Sequence, residues 1–127
     1  MRIKGRIEGD RCFIPISEGN IKQHHVYLRS VLSFFPTDSV GGSDESQRAA
    51  RPLTVAFDGG PTISTDIAGP DLHAREGRSA HYFFRNARSA VLRAFFERMR
   101  AQAGDEVVIR RESPCTYTIG LRKTARP

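Results

Sequence analysis

Leu53-Thr54-Val55-Ala56-Phe57-Asp58-Gly59-Gly60-Pro61-Thr62-Ile63-Ser64-Thr65-Asp66-Ile67 is the stretch on which the fold turns. Apolar and polar residues alternate from Leu53 to Phe57, Asp58 to Pro61 supply a turn, and Thr62 to Ile67 return as the partner strand. The pattern repeats on both sides. Upstream, Ile3 and Ile7 sit in alternating surroundings, Gly9-Asp10 makes a turn, and Cys12 to Ile16 form a second strand in which Pro15 favours an edge or a bulge. Downstream, Ser79 to Phe84, Glu106 to Arg111 and Cys115 to Leu121 read as strands, the last two joined around Glu112-Ser113-Pro114.

Helical signals are fewer. Arg29 to Phe35 forms a short helix that Pro36 stops. Asn86 and Gly104 bracket a longer one as N-cap and C-terminal stop. In that helix Val91, Leu92, Phe95, Phe96 and Met99 fall on one side and make a core-facing stripe. Arg93, Glu97 and Arg100 lie opposite, Arg98 flanks the stripe, and Arg88 has the phase of the buried side. Ser17 to Asn20 breaks the strand pattern. Thr37 to Arg51 lacks periodicity and reads as a mobile surface loop, Ala68 to Gly77 as a second loop, and 122–127 as a frayed tail. The sum is a mixed fold of mostly short strands with one short and one longer helix, which suggests a partly open barrel.

The chain has 127 residues, the length of a single domain, and a net charge of +6. Its sequence pI is near 10.0. Lys4, Lys22 and Lys123 are the only lysines, so the charge is carried by arginine, which grips phosphate or guanine with two parallel hydrogen bonds. The run from Arg75 to Arg100 contains seven arginines against Glu76 and Glu97, a local field suited to a polyanion.

Cys12 and Cys115 belong to no C-x-x-C unit, which argues against zinc or a dithiol site, and both read as buried thiols. The N-terminus has no signal-peptide core and no stretch has the length of a membrane span, so a cytoplasmic protein is expected. No nucleophile elbow, zinc-protease helix or phosphate-binding loop is present, and Asp58, Asp66 and Asp71 lack nuclease spacing. Adjacent His24 and His25 point apart on a strand and make a poor metal site. No cofactor is expected.

Two segments carry recognition chemistry. Gln23-His24-His25, with Tyr27, offers a bidentate partner for adenine and donors for phosphates or base edges, or else a polar turn before a strand. Arg75, Glu76 and Arg78 sit on a loop with Gly77 between them, followed by Ser79 at a strand start. This is either a recognition element or a charged surface loop.

The order of these features resembles the DNA-binding pseudobarrel superfamily. That group includes the N-terminal effector domain of EcoRII-type restriction enzymes, the DNA-binding domain of BfiI-type enzymes and the plant auxin-response-factor, or B-three, domain. The resemblance spans Ile21 to Leu121 and rests on Gln23 to Leu28, the short helix ending Phe34-Phe35-Pro36, the strand Leu53 to Phe57, the loop Arg75 to Arg78 and the terminal helix-strand-strand. It implies an open seven- or eight-stranded pseudobarrel whose two loops enter the major groove of double-stranded DNA. Gln23, His24, His25 and Tyr27 would form one jaw, and Arg75, Glu76, Arg78 and Ser79 the other. Lys22 and Arg85 would anchor phosphates.

Restriction enzymes of this kind attach a nuclease domain for which 127 residues leave no room, so a non-enzymatic, restriction-modification-related binding domain is expected, with a separate nuclease or other protein as a further partner. Two readings compete. One is an interaction module that holds an acidic protein through Val40 to Arg51 or the Arg93/Arg100 helix face. The other is a metal-dependent hydrolase that uses His24 or His81 with a carboxylate such as Glu18.

Overall fold

A computed structural model describes residues 4–69, 82–87 and 90–124. Strands β1 (Arg6–Glu8), β2 (Arg11–Pro15), β4 (Leu53–Phe57), β5 (Thr62–Thr65), β8 (Glu106–Ser113) and β9 (Thr116–Arg122) form a six-stranded sheet in the order β1-β2-β8-β9-β4-β5. Its neighbours are antiparallel except for β4 against β9. A second sheet of three short strands, β3 (Val40–Gly41), β6 (Ile67–Ala68) and β7 (Phe83–Phe84), runs in the order β3-β6-β7. Helices α1 (Glu18–Gln23) and α2 (Ala90–Met99), a kinked 3-10 segment (Arg29–Phe34) where a short helix was expected, and three single 3-10 turns complete a mixed α/β fold in which neither sheet closes on itself among the described residues.

The period-2 strands form where the alternation places them. Leu53, Val55 and Phe57 point inward beside Val107, Ile109, Tyr117 and Ile119, all nearly or fully buried. They meet Val26, Leu28, Val31, Phe34 and Phe35, and the α2 stripe of Leu92, Phe95 and Phe96, in one core. Burial of that apolar surface is the main favourable term in folding, at about 25 cal/mol per Å². Pro15 is tolerated because β1 pairs only with Arg11 to Phe13, so the Pro15 position has no β1 neighbour.

The returning strand is shorter than the sequence pattern suggests. Only Thr62 to Thr65 pair with β4 or its end, and the chain then crosses at Asp66 into the second sheet. Asn86, expected as a helix cap, lies in a 3-10 turn, Arg85–Ala87. Its backbone N–H donates to Thr65 Oγ1 and its side-chain amide to Ser64 O, which covers the outer edge of β5.

Nor does α2 run to Gly104. It ends at Met99, where Arg100 adopts φ 52° while the Ala101 N–H donates to Phe96 O at 2.9 Å and the Arg100 N–H to Glu97 O at 3.2 Å. That is a Schellman ending with arginine in the left-handed position glycine usually takes. Arg100→Gly should therefore raise stability by about 0.5–1 kcal/mol, read as a higher urea midpoint with an unchanged slope.

Ser17 to Asn20 starts a helix rather than only breaking a strand. Ser17 Oγ accepts from the Asn20 N–H and Asn20 Oδ1 accepts from the Ser17 N–H, a capping box with asparagine as the responding residue. The segment 37–51, expected as a mobile loop, is pinned through a buried ion pair. Arg85 Nε meets Asp66 Oδ1 at 2.6 Å, Arg85 also donates to Gly42 O and Asp44 O, and Asp66 Oδ2 accepts from the Ala49 N–H. Gly41 lies so close to Gln47 O and Ala49 N that no Cβ fits there.

Candidate nucleic-acid interface

The first candidate loop is built from the end of α1. Lys22 and Gln23 occupy its last turn and are exposed. His24 takes the left-handed conformation, φ 57°, while the His25 N–H reaches back to Asn20 O at 3.0 Å. This is a second Schellman ending, so His24 and His25 belong to a helix cap and not to a strand. His25 Nδ1 and Tyr27 Oη then share a hydrogen bond at 2.7 Å, with their rings tilted at 5.5 Å. Four of the expected recognition residues thus occupy one short, hydrogen-bonded turn, anchored by buried Val26 and Leu28.

Arg75, Glu76, Arg78 and Ser79 lie outside the described residues, as do Arg88 and His81. The ground on either side of their segment is described. Ala68 pairs with Phe83, so the chain departs at Gly69 and returns at Tyr82 from adjacent strands. The Leu28 N–H donates to Tyr82 O at 2.6 Å, which joins the end of the first loop to the return of the second. Gly69 N donates to Gly41 O, so the point of departure is tied to β3.

Arg85 departs from its expected role as a phosphate anchor. Its side chain is only 4 % exposed, and its guanidinium is engaged by Asp66 and two backbone carbonyls. A phosphate would have to displace a buried carboxylate. Burial pushes the Asp66 carboxyl upward in pKa, but the Arg85 guanidinium and the Ala49 N–H outweigh it and hold the group below its ordinary value. Sequence reasoning missed Asp66 as the partner, although a carboxylate between Thr65 and the apolar pair Ile67-Ala68 is itself a signal that a buried cation is needed.

The other described cations can be sorted by whether a carboxylate answers them. Arg6, Arg48, Arg51, Arg93, Arg110, Arg122 and Lys123 each lie within ion-pair distance of an acid. Arg98 and Arg111 donate to backbone carbonyls. Lys4, Arg11, Lys22 and Arg100 have no acidic partner among the described residues. Exposed pairs stabilise little, yet they cancel the local field. Arg93 and Glu97 are exposed on α2 as their phase requires and pair with each other, while Arg100 is exposed in the cap just beyond the helix. In the 37–51 segment Arg48 and Arg51 are matched by Glu45 and Asp38.

Cys12 is buried, and burial pushes its thiol up to about 12 despite nearby Arg111. Cys115 is only partly buried, against expectation, and takes a weak hydrogen bond from Arg51 at 3.7 Å. No three His, Cys, Asp or Glu side chains among the described residues come together in a way that would hold a metal ion. No helix among them is long and apolar enough to cross a membrane. No protein-family model matches the chain, and no curated protein matches it.

Proposed function

We propose that this chain is a non-enzymatic double-stranded DNA-binding domain of the open pseudobarrel type, gripping the major groove between the Lys22 to Tyr27 turn and the 75–79 segment. The observation that carries this reading is the Leu28–Tyr82 hydrogen bond, which seats the end of one segment beside the return of the other. Charge sorting supports it. Most described arginines are answered by the chain's own carboxylates or carbonyls, whereas Lys22 has no acidic partner among the described residues and the 75–78 stretch adds Arg75 and Arg78 against Glu76.

The roles follow from side-chain chemistry. Arg78 and Arg75 suit guanine O6 and N7, Glu76 can accept from cytosine N4, and Gln23 can pair with adenine N6 and N7. Lys22 is the phosphate contact that sets register without reading sequence. The buried Arg85 is reassigned: through Asp66 it braces the second sheet, from which the 70–81 segment departs and to which it returns. A module for acidic proteins gains less support, because the cations of the 37–51 segment and Arg93 already have acidic neighbours.

Titration of a labelled duplex at a series of salt concentrations tests the reading. The logarithm of the association constant should fall linearly with the logarithm of salt, with a slope of about −0.9 for each phosphate neutralised. Binding that ignores salt, or no complex at low salt, would sink it.

A further inference from the structure

The outer face of the six-stranded sheet carries a feature that neither the core nor the loops require. Gly120 sits in β9, an interior strand between β8 and β4, directly opposite Val108. A glycine inside a strand weakens it and usually marks a positive φ or a close approach by another group. Neither applies among the described residues: Gly120 is absent from the positive-φ positions, and a Cβ built on it would meet only Asp58 Oδ2, at 4.0 Å. No other described residue fills the space above it.

That space belongs to a cavity of about 500 Å³ on the outward side of β2, β8, β9 and β4. Its floor is small, with Ala56, Val108 and Gly120, and its walls include Thr118, Arg11 and Arg110. The register of β2 on β8 sets Arg11 directly opposite Arg110. Like charges in that position repel and destabilise a sheet unless something stands between them. Arg110 is paired with Glu112 at 3.5 Å, while Arg11, with Glu8 opposite it in the β1–β2 register, makes no ion pair among the described residues. Elsewhere on this face Arg6 and Arg122 both reach Glu106, Arg122 at the same 3.5 Å. Asp58 lines the same cavity and offers a hydrogen-bond acceptor.

We infer that this cavity binds a phosphate monoester carried on a flat nitrogenous ring. Arg11 and Arg110 hold the phosphate, the ring lies against the bare backbone at Gly120, and Asp58 accepts an N–H from the ring. A cavity of this size falls within the range of about 300–1,000 Å³ usual for small-ligand sites. Two arginines at opposed positions of neighbouring strands suit a single phosphoryl group better than an extended polyanion. The chemistry occurs in a free mononucleotide and at the 5′-phosphorylated end of a strand. The site faces away from the core that supports the Lys22 to Tyr27 turn, so the inference does not rest on the DNA-binding reading.

Calorimetric titration of the whole chain with nucleoside 5′-monophosphates, the matching nucleosides, inorganic phosphate, and short single strands with and without a 5′-phosphate separates the cases. Saturable binding of the phosphorylated ligands is expected, with the nucleosides weaker by about tenfold or more. Preference for the phosphorylated strand over the mononucleotide identifies the strand end as the source, and the reverse identifies the free nucleotide. Arg11→Ala should lower affinity by about tenfold, and Gly120→Val should abolish binding by filling the space. Gly120→Ala serves as the folding control: it should weaken binding while leaving the unfolding midpoint equal or higher, an outcome a structural glycine would not give. Equal binding by nucleoside and nucleotide, undiminished binding by Arg11→Ala and Gly120→Val, or no saturable binding at millimolar ligand would overturn the assignment.

Discussion

Asp66→Ala is expected to destabilise the fold by about 3–5 kcal/mol, because it leaves a buried guanidinium without its carboxylate. In a domain of this size the unfolding midpoint should fall on the order of 10 °C. The loss is large because Asp66 works in two directions at once. It accepts two bonds from Arg85, at 2.6 and 3.0 Å, and a third from the Ala49 backbone at 2.7 Å. Removing it frees the 42–49 backbone as well as the cation. Arg85→Lys should recover little of what Arg85→Ala loses, since an ammonium cannot span Asp66, Gly42 O and Asp44 O in the fixed fork that a guanidinium presents.

The pH dependence of the same pair has a definite sign. The folded-state pKa of Asp66 is held below its ordinary value, so its ionisation favours the folded state. That contribution is fully present above the unfolded carboxylate pKa of about 3.9 and is lost as pH falls through the lower folded value. Asp105 adds to the same acid limb. Burial raises its pKa, but Lys123 and the N–H groups of Gln102 and Thr124 outweigh burial and lower it. Acid unfolding of Asp66→Ala should therefore be shallower than that of the parent chain. Equal acid limbs would show that Asp66 is not ionised in the folded protein.

Arg78→Ala should weaken binding to a preferred duplex by about 1–3 kcal/mol and flatten the preference among sequences. Lys22→Ala should lower affinity by a similar factor on every sequence and reduce the salt slope by about one phosphate, or roughly 0.9. The contrast between the two variants distinguishes a base reader from a backbone anchor. A uniform loss for Arg78→Ala would make it a phosphate contact.

The strands that alternate over several residues were legible in the sequence because period-2 patterning and burial share one cause. Leu53 to Phe57 and Glu106 to Leu121 lie where their alternation puts them, and the α2 stripe faces the core. What escaped was held by contacts far apart in sequence or by an unusual residue in a familiar role. Helix α1 is six residues long, too short for a periodic signal, and its capping box uses Asn20 where glutamate or glutamine is usual. Both Schellman endings place a side-chain-bearing residue, His24 or Arg100, in the position that glycine marks. The 37–51 segment looked structureless because Asp66 and Arg85, which fix it, lie beyond it in the chain. Of the candidate interface, the polar run Gln23 to Tyr27 was legible but its place at a helix end was not, because His24 takes the cap position that glycine usually marks, and the fate of Arg85 was not, since its partner Asp66 lies far off in sequence.

Selection of bound duplexes from a random library, with the parent chain and Arg78→Ala side by side, tests the central claim most directly. The account predicts that the parent chain retains duplexes at low salt and enriches a short motif, and that the motif fades with Arg78→Ala. Retention of no duplex above background at low salt would contradict it.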